Sequence, residues 1–94
     1  MMLFDLAIGA VRFLVTFEDK GLTVPIVKTI KFEQVRRNYC GQNLLIFREV
    51  YFEGEGEAIF VRESDAESLV LDQERLISVL RRSFDGSLSS WPPV

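Results

Sequence analysis

Leu44-Leu45-Ile46-Phe47-Arg48-Glu49-Val50-Tyr51-Phe52-Glu53, followed by Gly54-Glu55-Gly56 and then Glu57-Ala58-Ile59-Phe60-Val61-Arg62, decides the fold. The first ten residues are aliphatic and aromatic types that suit a pleated, half-buried surface, two glycines permit a tight reversal, and the last six residues pair back. This stretch reads as a β-hairpin. Upstream, residues 11–18 are dense in β-branched and aromatic types and predict a strand, with Asp19-Lys20-Gly21 as a turn in which the glycine takes positive φ. Residues 23–37 predict another strand, entered at Pro25 where a missing N–H is tolerated. Asn38-Tyr39-Cys40-Gly41-Gln42-Asn43 carries the next turn. Residues 2–8 form a continuous apolar run, which fits a strand or a short buried helix equally well.

Downstream the period changes. Residues 63–68 read as a polar loop, and Leu69-Val70-Leu71 as a short apolar step. Asp72 stands where a helix N-cap belongs, with Glu74 in the first turn. Leu76, Ile77, Val79, Leu80 and Phe84 then repeat at helical spacing, Arg81 and Arg82 sit near the carboxyl end, and Gly86 is a natural stop. Leu76, Ile77, Leu80 and Phe84 are expected to pack against the sheet or a second subunit. Residues 1–86 make one domain, and residues 87–94, with Trp91-Pro92-Pro93, a tail. The predicted class is α+β, a curved antiparallel sheet of four or more strands backed by one C-terminal helix. A lone helix covers one face of the sheet and leaves the other for a partner, a ligand or a second subunit.

Composition narrows the chemistry. The chain has 94 residues, no His and one Cys. Without imidazole, serine and cysteine triads and the common zinc sites lose their usual members. Cys40 alone forms no internal disulfide, which points to a reducing, cytoplasmic setting. The apolar start, residues 1–17, is interrupted by Asp5 and Arg12 and falls short of the roughly 20 apolar residues of a membrane span. It has neither a basic leader nor a small-residue cleavage site after it. A soluble protein with no membrane role is therefore expected. Glu53, Glu55 and Glu57 lack the Asp-x-Asp-x-Asp-Gly spacing of a calcium loop and read as an acidic solvated turn. Gly54-x-Gly56 lacks the third glycine and the following helix of a dinucleotide loop. No catalytic cluster, metal site or cofactor is predicted.

Charge is unevenly distributed. The net value is −3, which by itself speaks against a strongly basic nucleic-acid binder. Yet residues 22–48 hold Lys28, Lys31, Arg36, Arg37 and Arg48 against Glu33, a net +4. Residues 49–74 hold Glu49, Glu53, Glu55, Glu57, Glu63, Asp65, Glu67, Asp72 and Glu74 against Arg62, a net −8. One reading is of solvated faces with cross-strand ion pairs. The other is a basic groove with interleaved Phe32, Tyr39, Phe47 and Tyr51, on which bases stack while cations track phosphates.

Within residues 32–82 the chain reads Tyr39-x-Gly41, Leu44, Arg48-Glu49, Tyr51, Gly56-Glu57 and Leu69-x-Leu71-Asp72-x-Glu74. This order resembles the positive cofactor four family of transcriptional coactivators that bind single-stranded DNA. The resemblance implies a curved sheet, dimerisation through the C-terminal helix, and single-stranded DNA or RNA lying across the sheet. Carried over by position, the family's stacking aromatic falls on Tyr39, its strand arginine on Arg48 and its second aromatic on Tyr51. Its lysines fall on Cys40, Gln42 and Glu67, and Ser68 replaces a glycine, so fewer cations are left to meet phosphates. Together with the basic strands this gives a candidate nucleic-acid-binding set of Tyr39, Arg48, Tyr51, Lys28, Lys31, Arg36 and Arg37. The alternative is a protein-interaction or regulatory module of the same fold that binds no nucleic acid. Arg48 and Tyr51 are three apart, so they serve one surface only if a bulge lies between them.

Overall fold

The computed structural model describes residues 6–38, 40–51 and 53–92. Four strands, β1 (Val11–Phe17), β2 (Pro25–Arg37), β3 (Asn43–Tyr51) and β4 (Gly54–Arg62), form one antiparallel sheet in sequential order. Two helices follow, α1 (Glu63–Leu69) and α2 (Gln73–Asp85). The class is α+β, as the hairpin reading requires. Residues 2–5 of the ambiguous apolar run lie outside the described residues, and residues 6–10 form a turn rather than a strand or helix.

Strand alternation divides the sheet into two faces. Phe32 pairs with Phe47 and Phe47 with Ile59, while Leu45 pairs with Val61, so these side chains project to the same side. On that side Ile30, Phe32, Leu45, Phe47 and Val61 form the main core with Ala66 and Val70. The Phe32 and Phe47 rings lie 5.4 Å apart at a tilt of 58°. Both are buried, so neither is available for bases to stack on, contrary to the interleaved-aromatic reading.

Residues 63–68, read from sequence as a polar loop, are helix α1. Glu63 and Asp65 in its first turn favour the positive helix end. Ala66 and Val70, four apart, point one apolar stripe into the core. The backing is therefore two helices rather than one. For α2 the caps are as expected: the Asp72 carboxylate accepts the Arg75 N–H at 2.8 Å, and Gly86 takes a left-handed φ of 80°, where a Cβ is strained.

Two turns differ from expectation. The β3–β4 reversal comes before Gly54, because Tyr51 already pairs with Gly54, and Gly54-Glu55-Gly56 belong to β4. In the β1–β2 turn, Leu22 rather than Gly21 has positive φ, at 59°. The Asp19 carboxylate holds this loop, accepting the N–H of Thr23 and of Val24 at 2.9 Å and the Thr23 hydroxyl at 2.6 Å. The Thr23 hydroxyl, ahead of the backbone donors, lowers the Asp19 pKa.

Of the helix residues expected to pack inward, Leu76 and Leu80 are half-buried, whereas Ile77 is 46% and Phe84 72% exposed. The buried residue of α2 is Ser83, whose hydroxyl donates to the Leu22 carbonyl at 2.6 Å. Residues 87–92 form no helix or strand, but they are anchored. Leu88 is buried, and the Trp91 indole donates to the Val15 carbonyl at 2.8 Å and meets the Phe17 ring edge-on at 6.2 Å.

Candidate nucleic-acid interface

The face of the sheet opposite the main core carries a set of cations whose placement follows from register. Lys31 pairs with Arg48 and Arg48 with Ala58. Arg36 pairs with Leu44 and Leu44 with Arg62. Between these rows lie Gln34, Ile46 and Phe60. Cross-strand partners share a face, so Lys31, Arg36, Arg48 and Arg62 lie on the same face as Phe60, which is 57% exposed on the edge strand. α1 packs on β3 and β4 from the core side and α2 meets β1, so this face is exposed at Gln34, Arg36 and Phe60 but covered toward β1, where Val15 is buried and Trp91 lies against Phe17.

The predicted cations are therefore split. Lys28 pairs with Leu14, a core-packed residue, and Arg37 with Asn43, whose amide reaches Glu63. Both project to the helix side, away from Lys31, Arg36 and Arg48. Tyr39 lies outside the described residues. Phe60 and Arg62, missing from the predicted set, are brought in by alternation against the buried Val61.

Two register shifts shape the site. In β2 the ladder skips Glu33 between Phe32 and Gln34. The displaced Glu33 meets Arg48 with two hydrogen bonds, Nε to Oε2 at 2.8 Å and Nη2 to Oε1 at 3.2 Å. This fork-on-fork pairing fixes the guanidinium plane. Arg48 holds the Glu33 carboxyl below its ordinary pKa, first by hydrogen bonding and then by charge. The second shift lies between Arg48 and Val50. Its extra residue lies in β4, where Gly56 and Glu57 oppose Glu49 alone, so β3 keeps its alternation: Arg48 shares a face with Lys31 while Tyr51 lies with Glu49 on the other, and the two reach Gly56 from opposite sides without serving one surface. Arg48 Nη1 donates to the Gly56 carbonyl at 3.2 Å, while the Tyr51 ring lies where a side chain on residue 56 would go. The Tyr51 hydroxyl donates to Glu49 Oε1 at 2.8 Å, and this bond raises the phenol pKa.

Gly56 is thus required by the ring above it. In Gly56→Ala the new methyl displaces Tyr51 and breaks its bond to Glu49. The expected result is a Tyr51 phenol that titrates lower, seen as one of the two tyrosines ionising earlier in an ultraviolet pH titration. Because Tyr51 is exposed, stability changes by less than about 1 kcal/mol.

Electrostatically the two ends of this face differ. At one end Arg48 is paired with Glu33, and beyond it lies the hairpin end with Glu53 and Glu57 exposed. Toward the other end Arg36 is exposed and has no ion pair or hydrogen bond among the described residues, and Arg62 pairs at the surface with Asp65 at 2.9 Å. Among the described residues no group of three or more metal-ligating side chains converges, and no helix is long and apolar enough to cross a membrane. No family model, curated protein or solved structure matches the chain.

Proposed function

We propose that the protein is a non-enzymatic, single-stranded nucleic-acid-binding domain of the positive cofactor four type, dimeric through α2. The observation that supports this most is the exposed Phe60 on the same sheet face as Lys31, Arg36, Arg48 and Arg62. An aromatic and cations on one face offer a base its stacking surface and the backbone its counter-charge. The phosphate term comes from few cations, so affinity is modest and falls steeply with salt. Arg48, clamped by Glu33, serves chiefly to shape the surface, and Arg36 carries the phosphate contact.

Fluorescence anisotropy with a labelled oligothymidine tests the reading. Micromolar binding at low salt is expected. Lys31→Glu combined with Arg36→Glu should weaken it by at least about 100-fold, and Phe60→Ala by about 10-fold. Binding that ignores salt, or equal binding by these variants, overturns the reading.

The dimer is supported by the apolar stripe of Ile77, Leu80 and Phe84, which with Arg81 and Asp85 lines a shallow groove of about 480 Å³. Phe84→Asp removes an exposed side chain. It should leave the thermal transition in place while converting a dimer to monomer in light scattering. A protein-interaction module that binds no nucleic acid is the second reading, and the same exposed stripe favours it. A monomeric protein that binds no oligonucleotide would support that reading over the first.

A further inference from the structure

The two edges of the sheet are finished differently. On β1, Phe13 and Leu71 exchange backbone hydrogen bonds in both directions at 2.9 Å, and Trp91 donates to the Val15 carbonyl. The middle of that edge is covered at Phe13 and at the Val15 carbonyl. β4, at the other edge, pairs only with β3 among the described residues. The direction of its backbone groups follows from the ladder. Phe13 points its N–H and C=O away from β2, so those of Arg12 point toward it and those of Ile30 back. Carried across the Lys31–Arg48 and Phe47–Ile59 pairs, the alternation aims Ile59 and Val61 at β3, and Ala58 and Phe60 outward.

Ala58 and Phe60 therefore present two sets of donors and acceptors along about 7 Å of edge. Proteins usually blunt such an edge with Lys, Pro or a bulge. Here the bulge at residues 56 and 57 protects only the hairpin end, and β4 contains neither Lys nor Pro. The cations nearest the edge, Arg48 and Arg62, are paired with Glu33 and Asp65, and the remaining charge toward the hairpin end is negative. From Glu49 to Val61 the sequence has no Lys or Arg, and Glu53 and Glu57 are exposed. A second copy of β4 would set carboxylates near carboxylates, which disfavours self-pairing. An extended chain carrying Lys or Arg is the complementary occupant.

We propose that the outer edge of β4 accepts an extended basic peptide as a fifth strand. Its main chain bonds to Ala58 and Phe60, and its cations lie toward Glu57 and Glu53. Strand addition draws affinity from main-chain hydrogen bonds and specificity from alternate side chains. This surface is the sheet edge, and the inference stands whether or not the cationic face binds nucleic acid.

The test uses the full chain, isotopically labelled, with an octapeptide of alternating lysine and valine as probe. At saturation the amide exchange of Ala58 and Phe60 should slow by at least about fivefold, and binding should weaken at about 0.5 M salt, where screening is short-ranged. Two control peptides, N-methylated at every valine or at every lysine, separate strand addition from plain charge attraction. At least one should bind about 10-fold more weakly. Phe60→Pro removes an outward N–H without touching the β3 ladder and should abolish binding. Glu57→Gln should lower the salt dependence, so the result does not rest on the proline variant alone. No binding at millimolar peptide, undiminished binding by both N-methylated controls, or unchanged exchange at Ala58 and Phe60 would overturn the proposal.

Discussion

Phe47→Ala should leave the protein largely unfolded or barely stable at physiological temperature. Phe47 is fully buried and lies at the centre of the core with Ile30, Phe32, Leu45 and Val61. Truncating a buried phenylalanine costs about 3–5 kcal/mol, the lost transfer energy plus the cavity left behind. A small domain has only about 5–15 kcal/mol in all. Urea denaturation should show a midpoint cut by half or more. Phe60, the nearest aromatic on β4, faces the other way and is mostly exposed. Phe60→Ala should cost less than about 1 kcal/mol. Equal losses from the two would mean that the assignment of sheet faces is wrong.

The second large effect concerns the chain after α2. Replacing both Leu88 and Trp91 with alanine should cost about 3 kcal/mol or more, from a buried leucine and a half-buried indole that also donates a hydrogen bond. The loss should be local before it is global. Amide exchange should rise first in β1, whose Val15 carbonyl and Phe17 ring the indole touches, while β3 in the middle of the sheet keeps its protection. A fall in stability without selective exposure of β1 would show that the segment acts elsewhere.

The strands and α2 were legible because each has a local signal. β3 and β4 are apolar runs around glycines, and Asp72 and Gly86 are caps whose residue types match their geometry. Helix α1 had no such signal. Its polar composition reads as loop, and only the burial of Ala66 and Val70 against the sheet makes it helical. The turn at Leu22 was hidden for a similar reason: the Asp19 carboxylate holds the backbone in a conformation that composition assigns to the adjacent glycine.

The candidate site was half legible. Simple alternation from the core residues separates Lys28 from Lys31, and marks Phe32 and Phe47 as interior. After Glu33 alternation fails, because the bulge reverses the parity of β2 and puts Arg36, not Arg37, beside Arg48's face. Nothing in the residues 32–34 announces that shift. The pairing of Glu33 with Arg48 is its visible consequence.

The covering of β1 also sets an order of events during synthesis. Of the described strands β1 leaves the ribosome first, yet the groups that cover its outer edge come from Leu71 and Trp91, the latter 76 residues after Val15. A nascent chain that has already paired β1 with β2 therefore still offers an open edge, the kind of surface that recruits other strands. Protection of β1 arrives only after the other described elements have emerged. A pause in translation between α1 and residue 91 is the interval in which this protein most needs a chaperone.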